Sequence, residues 1–161
     1  MKCKELFDRT YNDAKQYCDD PDDTLESAKS QLLNIDYLRF IDADNDLDKA
    51  PVVYDCLDFA KNSGEGFYLL EVVKNTIDKY HTATAHFFED LDDLVRYCNS
   101  IKVFAHECKT VDELKPLLNG KQNFKKVPTH YEILNSKQEV IDSIFKFNDE
   151  HEDNIINMLV F

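Results

Sequence analysis

The spacing of hydrophobic residues changes near residue 65, and this change limits the possible folds more than any other feature of the sequence. Before it, apolar side chains recur every three or four positions, as in amphipathic helices. After it, residues 67–73 are apolar on both faces, which is typical of a central strand, and residues 78–88 alternate. We therefore expect an α+β fold in which helices pack on a small, mostly antiparallel sheet. A single domain is expected over 1–161, mainly helical over 1–65 and mixed strand and helix over 66–161.

Caps and helix breakers place the individual elements within this outline. Helices are expected over 4–18, from Pro21 as far as Phe40, and from Pro51 to the stop signal at Asn62-Ser63-Gly64, with a loop over 42–49. The second part is expected to contain a hairpin turning near 74–75, a helix over 91–101, a strand over 102–106, a helix from the capping box at 110–113 to Gly120, a strand over 130–134, and a helix after the capping box at 136–139. The spacing over 155–161 fits either a helix end or a strand.

The composition indicates a folded protein rather than a disordered acidic tail. Hydrophobic residues make up 43% of the 161 residues and aromatic residues 12%, enough to bury a core. The five cysteines are widely spaced without a CxxC pair, which favours reduced thiols over a disulfide framework. The sequence shows no secretory signal and no apolar run of the roughly 20 residues that a membrane span needs. We therefore expect a cytoplasmic protein that does not enter a membrane.

Acidic residues outnumber basic ones by 32 to 19, for a formal net charge of −13, and the excess is unevenly placed. Residues 1–65 hold 16 acids and 8 bases, residues 66–128 hold 9 of each, and residues 129–161 hold 7 acids and 2 bases. Such a field repels nucleic acid and anionic membranes and speeds association with basic proteins. Direct nucleic-acid binding is therefore not expected, whereas a basic protein partner is. Solubility alone would also account for the excess.

The two acidic ends supply the candidate partner-binding residues. Regularly spaced carboxylates on a folded scaffold can replace DNA phosphates in a basic nucleic-acid channel, and nearby tyrosines can anchor such an interface. The leading hypothesis is a small intracellular inhibitor, without catalytic activity, that binds a nuclease or another basic nucleic-acid-processing protein as a DNA mimic. A phage or plasmid anti-defence protein (anti-CRISPR or anti-restriction) and a toxin immunity protein would both act in this way. The candidate residues are Asp8, Asp13, Asp19, Asp20, Asp22, Asp23, Asp42, Asp44, Asp46, Asp48, Asp149, Glu150, Glu152 and Asp153, with Tyr11, Tyr17 and Tyr37.

A second hypothesis is an enzyme of unknown substrate that uses a Cys-His pair among Cys98, His106 and Cys108. A thiol nucleophile needs a nearby base, and the fold can bring such groups together from distant positions. His81 and His86 are separated by an odd number of residues, so on a strand they face opposite sides and do not form a metal site. No cofactor is predicted, because the three glycines do not form a phosphate-binding loop.

A third hypothesis is a weak divalent-cation-binding module built on Asp42, Asp44, Asp46 and Asp48. This segment resembles the first half of an EF-hand calcium loop, which has acidic residues at its first, third and fifth positions. Leu47 and Val53 stand where that loop needs glycine and a bidentate glutamate. The resemblance implies a weak, non-specific site at most, and no defined metal site is predicted.

One short segment of the chain is basic. Residues 114–131 contain four lysines and no acid, with Phe124 among them; the lysines are Lys115, Lys121, Lys125 and Lys126. Lysines interleaved with an aromatic ring can grip single-stranded nucleic acid. Because the whole chain is strongly acidic, we interpret the segment as a solvated loop or as a counterpart to the protein's own acidic ends.

Overall fold

The computed structural model describes residues 2–41, 46–74, 81–100, 108–118, 129–150 and 156–160. Over these ranges the elements follow the order α1 (Cys3–Lys15), α2 (Pro21–Leu32), α3 (Ile35–Ile41), α4 (Asp46–Asn62), β1 (Phe67–Lys74), β2 (His81–Phe88), α5 (Leu91–Ser100), α6 (Val111–Leu118), β3 (Thr129–Leu134), α7 (Lys137–Glu150) and β4 (Ile156–Val160). Helices and a small antiparallel sheet are both present, so the predicted α+β class is confirmed. Across the described ranges, every helix is too short or too polar to cross a lipid bilayer.

The sheet places its strands in the order β3-β1-β2-β4. Strand β1 pairs antiparallel with both β2 and β3, and Leu69 lies opposite His86 on one side and Ile133 on the other. This confirms the expectation that residues 67–73 form an interior strand, since β1 has a neighbour at each edge. The hairpin between β1 and β2 is confirmed as well, although its turn lies outside the described residues.

Contacts divide the chain into two compact units. The first, which we call the helical unit, comprises residues 1–63 and 141–157; the second, which we call the sheet unit, comprises residues 64–140 and 158–161. The boundary at 63/64 lies close to the change of hydrophobic spacing in the sequence. The single domain over 1–161 stays a prediction.

The helical unit buries one stripe from each of its longer helices. Helix α1 contributes Cys3, Leu6, Thr10 and Ala14, whose spacing is that of one helix face. The Thr10 hydroxyl donates to the Leu6 carbonyl at 2.7 Å, so this polar side chain is satisfied inside the core. Helix α4 contributes a longer run of fully buried side chains, which are Val52, Val53, Cys56, Leu57 and Phe59.

The sheet unit buries apolar side chains on both faces of β1, with Tyr68, Leu70 and Val72 on one face and Leu69 on the other. Leu69 and Tyr131 on that face cluster with apolar residues of α5 and α6, among them Leu94, Cys98 and Leu114. The Asn99 side chain holds the chain before α6 with two hydrogen bonds, accepting from the Cys108 N–H at 2.9 Å and donating to the Cys108 carbonyl at 2.7 Å. These two hydrogen bonds satisfy the backbone N–H and carbonyl of buried Cys108, which belongs to neither a helix nor a strand.

The predicted helix from Pro21 to Phe40 is wrong, because the structure has two helices there. Helix α2 ends at Leu32, and the Asn34 side chain accepts from the Asp36 N–H at 2.9 Å to start α3. Asparagine is a good N-cap because its side chain replaces the hydrogen bond that the first helical turn lacks. Residues 33–34 therefore interrupt an otherwise continuous helical pattern.

The predicted start of a helix at Pro51 is also wrong, since α4 begins at Asp46. The expected loop over 42–49 is therefore helical from 46 onward, and residues 42–45 lie outside the described residues. Proline in the second turn costs one backbone hydrogen bond, and acids in the first turn are favoured by the helix dipole. Helix α1 ends earlier than the expected residue 18, with a turn in which the Tyr17 N–H donates to the Ala14 carbonyl at 3.1 Å.

Both capping boxes form, with a small difference from the expected pattern. The N–H of Glu113 donates to the Thr110 hydroxyl at 3.3 Å, and the N–H of Glu139 donates to the Ser136 hydroxyl at 3.2 Å. Each glutamate reaches back one residue before the cap, to the N–H of Lys109 at 2.8 Å and of Asn135 at 2.6 Å. The expected strand over 102–106 and the helix end at Gly120 lie outside the described residues, and Ile156–Val160 is a strand.

Candidate protein-binding surface

Four exposed carboxylates lie along α1 and the start of α2. Asp8 is exposed on α1, Asp19 is exposed in the connection, and Asp22 and Asp23 are exposed in the first turn of α2. The positive end of the α2 dipole favours acids in that turn. Among the described residues, no lysine or arginine lies within ion-pair distance of these four side chains. We call Asp8, Asp19, Asp22 and Asp23 the α1–α2 acids.

Other predicted acids are used by the fold itself. The Asp20 carboxylate caps α2 by accepting from the Asp22 N–H at 3.1 Å. The Asp13 carboxylate accepts from the Tyr37 hydroxyl at 2.9 Å. Burial, followed by the hydrogen bond and charge of Asp13, raises the pKa of Tyr37 to about 12, although a hydrogen bond with Thr10 opposes the shift. These acids and Tyr37 therefore have structural partners within the helical unit.

Of the predicted C-terminal acids, Asp149 and Glu150 lie in the described part of the chain, and Asp149 is paired with a base. Asp149 is half-buried, accepts from the Cys3 N–H at 3.1 Å and forms an ion pair with Lys49 at 3.3 Å. It also lines a cavity of about 400 Å³ together with exposed Glu150 and with three lysines, Lys2, Lys4 and Lys146. This end of the helical unit presents both signs of charge, in contrast to the α1–α2 acids.

The remaining predicted acids are only partly covered by the structure. Asp42, Asp44, Glu152 and Asp153 lie outside the described residues, and only the backbone of Asp46, in α4, is described. Asp48 is exposed on α4. Because Asp46 and Asp48 belong to a helix, the second half of the segment that resembles an EF-hand does not have the loop conformation which that resemblance implies.

The predicted tyrosine anchors differ in how far they are exposed. Tyr17 is 83% exposed and lies in the turn that ends α1, two residues after Lys15. Tyr11 is half-buried and stacks on Phe7, with ring centroids 6.4 Å apart and planes 6° from parallel. Phe7 in turn packs edge-on against Phe145 at 5.6 Å. Tyr17 is therefore available to a partner, whereas Tyr11 is part of the packing of α1.

A charge network between α2 and α4 neutralises another part of the helical unit. The buried Lys29 ammonium lies 2.7 Å from Asp58 and 3.3 Å from Glu26, and Lys61 lies 2.7 Å from the same Glu26 oxygen. Hydrogen bonds from Lys61 and then Lys29 lower the pKa of Glu26, and the hydrogen bond to Asp58 raises the pKa of Lys29. Lys29 also lies 5.4 Å from the ring centre of Tyr54. These charges join two helices, and the two lysines balance the two carboxylates.

The two units differ strongly in charge. Counted over their whole sequences, the helical unit holds 20 acidic and 9 basic residues, a net charge of −11. The sheet unit holds 12 acidic and 10 basic residues, a net charge of −2. The contacts assign residues from both acidic ends of the sequence to the helical unit, so the charge excess belongs almost entirely to one unit.

An apolar groove in the helical unit was not predicted from the sequence. It has a volume of about 430 Å³ and is lined by residues of α2, α3, α4 and the α2–α3 connection, namely Leu32, Leu33, Ile35, Leu38, Ala50, Pro51, Tyr54 and Asp55. Leu33 is 73% exposed and Ile35 is 52% exposed at this site. We call it the α2–α3–α4 groove. The available signal was the apolar pair Leu32-Leu33 directly before the Asn34 cap.

The cysteines proposed for catalysis are buried. Cys98 is fully buried, and this burial raises the pKa of its thiol to about 12. Burial also raises the pKa of the Cys108 thiol, with a smaller contribution from Glu113. His106 lies outside the described residues. Both thiols are therefore protonated at neutral pH, a state that does not favour a thiolate nucleophile.

A second group that sequence reasoning missed lies on the sheet face that packs against α5. The Tyr131 hydroxyl hydrogen-bonds Glu71, which lies opposite it in the β1–β3 register, and burial followed by this contact raises the pKa of Tyr131. Tyr97 of α5 lies 4.9 Å from His86, measured between ring centres. The signal in the sequence was a single carboxylate inside the otherwise apolar strand β1. The group satisfies polar side chains beside a core rather than forming a defined catalytic constellation.

Metal-binding groups are absent from the part of the chain that the structure describes. No cluster of three or more His, Cys, Asp or Glu side chains there could hold an ion. His81 and His86 are on opposite faces of β2, as their odd spacing predicted, since His86 lies opposite Leu69 and His81 opposite Lys74 in the register.

Comparison with known proteins adds no relative to this description. The chain matches no protein-family model, no curated protein and no solved structure. The function is therefore argued from the chain's own residues, and the α1–α2 acids with Tyr17 and the α2–α3–α4 groove are its candidate protein-binding surface.

Proposed function

We propose that this protein is a small intracellular inhibitor, without catalytic activity, that binds a basic nucleic-acid-processing protein and mimics DNA. The observation that supports this proposal is the exposure of the α1–α2 acids on a unit with a net charge of −11, without an ion pair to any described lysine or arginine. Aspartate side chains are short, so their charges stay close to the helix positions that hold them. Such a surface can compete with phosphates for the lysines and arginines of a nucleic-acid channel.

The partner expected from this charge is a nuclease or another cytoplasmic nucleic-acid-binding protein. Electrostatic attraction would speed its encounter with the helical unit, and salt would weaken it because the acids are exposed. Tyr17 is the exposed aromatic side chain placed to anchor the contact, beside Asp19 in sequence. A phage or plasmid anti-defence role and a toxin immunity role both fit this binding mode.

The first test is a pull-down from native host lysate with the tagged protein. It is done in about 50 mM salt and again in about 500 mM salt, which shortens the range of charge interactions severalfold. We expect one basic nucleic-acid-binding protein to be recovered at low salt and lost at high salt. Its activity on DNA should fall when the purified inhibitor is added. Recovery of no basic protein at low salt would refute the proposal and leave solubility as the reason for the acidity.

A pair of triple variants tests whether the α1–α2 acids make the contact. The triple variant Asp8→Asn, Asp22→Asn, Asp23→Asn should weaken binding of the recovered protein by about tenfold or more, mainly through slower association. The matched control removes three charges from exposed positions of the sheet unit, with Glu89→Gln, Asp92→Asn and Asp112→Asn. Equal weakening by both triples would show that net charge alone matters, and would contradict a specific surface on the helical unit.

A further inference from the structure

The α2–α3–α4 groove exposes large apolar side chains on a unit that is otherwise strongly charged. Leu33 at the end of α2 is 73% exposed and Ile35 at the start of α3 is 52% exposed, and both line the groove. The floor includes Leu38 and Ala50, which are buried. Adjacent exposed apolar side chains beside a cavity are typical of binding sites rather than of ordinary surface.

The charges along the α4 side of the groove are mostly negative. Asp55 is part of its lining, and among the described lining residues there is no lysine or arginine. Asp48 is exposed and lies on the same face of α4 as Pro51 and Asp55, since positions three and seven residues apart share a helix face. Lys49 is already paired with Asp149, and α3 carries one acid, Asp36, and one base, Arg39, so it adds no net charge. The α4 side of the groove therefore favours a positively charged occupant.

We infer that the groove receives two large apolar side chains of a basic, amphipathic helical segment. This inference rests on the proposed function, because the segment belongs to the same basic partner that the α1–α2 acids attract. A cavity of about 430 Å³ has the size of pockets that bury compact apolar groups. A second copy of this chain does not fit the charge, since each copy carries −13 and the two would repel.

The absence of tryptophan from the chain provides a clean assay. The probe is a synthetic lysine-rich helical peptide with one tryptophan and one leucine four positions apart, so that both lie on one face. Its emission comes from the peptide alone. We expect a shift to shorter wavelength when the tryptophan enters the groove. A peptide of the same composition with its tryptophan and leucine on opposite faces should bind more weakly and shift less.

Variants of the groove rim test where the peptide binds. The double variant Leu33→Ser, Ile35→Ser should weaken peptide binding by about tenfold or more, which is the expected loss for one large apolar contact. The matched control is Phe40→Ser, which removes an 80% exposed aromatic side chain from α3 outside the groove lining. It should change binding by less than about twofold. Thermal melts of each variant check the fold, which exposed positions should preserve.

Three results with the peptide or the free protein would overturn the inference. The first is equal binding by the groove variant and the Phe40 variant, and the second is no binding of the peptide at low salt. The third is a dimer of the free protein that the groove variant abolishes, since the occupant would then be a second copy. If the lysate partner binds the wild-type protein and the groove variant equally, the docking inference fails while the inhibitor proposal stands. If the peptide binds but no basic partner is recovered, the inhibitor proposal fails instead.

Discussion

The helical unit and the sheet unit use charge in different ways. The helical unit carries a net charge of −11, leaves the α1–α2 acids exposed, and has large apolar side chains at its surface, including Tyr17, Leu33 and Phe40. The sheet unit carries −2 and buries apolar side chains on both faces of β1, with those of one face clustered against two helices. Acidity for solubility alone would be spread over both units, so its concentration in one unit favours an interaction surface there.

The same comparison separates structural acids from available ones. Within the helical unit, Asp20, Asp13 and Asp149 each accept a hydrogen bond from a backbone or side-chain group of the unit itself. The α1–α2 acids have no described basic partner. A count of acids in the sequence treats both groups alike, although only the second can offer unbalanced charge to a partner.

The largest expected effect comes from cavities in the two cores. Leu57→Ala in the helical unit and Leu94→Ala in the sheet unit each remove a fully buried side chain, and each should lower the free energy of unfolding by about 2–5 kcal/mol. If the chain is one domain, urea unfolding of each variant remains a single transition. Hydrogen exchange would then report destabilisation in both units. An unfolding curve with two separate transitions in either variant would contradict the single-domain prediction.

The next largest loss of stability is expected at Gly66 in the sheet unit, where the Phe87 ring and the chain at Phe88 lie very close. A Cβ atom at Gly66 would lie 2.6 Å from the Phe87 ring and 2.9 Å from the Phe88 carbonyl oxygen. Gly66→Ala should therefore destabilise the protein by about 1–3 kcal/mol in chemical denaturation. The control is Gly64→Ala, where the nearest atom would be 3.3 Å away on the same ring, and its cost should stay below about 0.5 kcal/mol. Similar losses for both variants would argue against this close approach.

Each unit contains a buried thiol, and we expect both thiols to lower the stability of the protein at alkaline pH. Burial raises the pKa of Cys3 in the helical unit and of Cys98 in the sheet unit from 9.0 to about 12. Between these values the unfolded thiol loses its proton while the folded thiol keeps it, so unfolding becomes easier as pH rises. Above pH 9, each thiol should lower the free energy of unfolding by about 1.4 kcal/mol per pH unit. Below pH 9 the thiol is protonated in both the folded and the unfolded state, so its contribution to stability is fully present there.

Cysteine variants test this slope in denaturation curves measured from neutral pH to about pH 11. Cys98→Ala should reduce the pH dependence of the unfolding free energy, even though it also lowers stability by leaving a small cavity. Cys18→Ala, at a half-buried position, serves as the control for loss of a thiol that is not fully buried. An unaltered slope in the Cys98 variant would contradict the burial of an ionisable thiol there.

The smallest expected effect distinguishes a structural acid from its exposed neighbour. Asp20→Ala removes the cap of α2 and should cost about 1 kcal/mol in thermal or urea unfolding. Asp19→Ala removes the same charge one residue earlier and should change stability by less than about 0.5 kcal/mol. Binding to a basic partner should respond in the opposite order if Asp19 faces the partner. Equal stability losses would show that the cap contributes little.

Sequence reasoning predicted most local elements and failed where a local signal was ambiguous. The hairpin, β3 and the helices after the two capping boxes were predicted correctly, because alternation and caps act within a few residues. Pro51 was interpreted as a helix start, since proline suits the first turn, but α4 tolerates it in the second turn. The break at residues 33–34 was missed because the apolar spacing continues across it.

The candidate site was predicted only in part. The sequence indicated the acidic ends and Tyr17, and the structure describes Asp8, Asp19, Asp22 and Asp23 as exposed. Nothing in the sequence indicated that Asp149 would pair with Lys49 and the backbone of Cys3, because these residues are far apart along the chain. The groove was missed for the same reason, as its lining comes from three helices and a connection.

The sequence by itself determined the net charge, the switch from helices to strands near residue 65 and the helix caps, because each depends on composition or on residues within one helical turn. Tertiary structure decided the position of β1 between β2 and β3, the high pKa of the buried thiols, and which carboxylates keep their charge available. Those properties depend on burial and on pairing between distant residues. Local spacing does not encode such contacts, and they arise only when the chain packs.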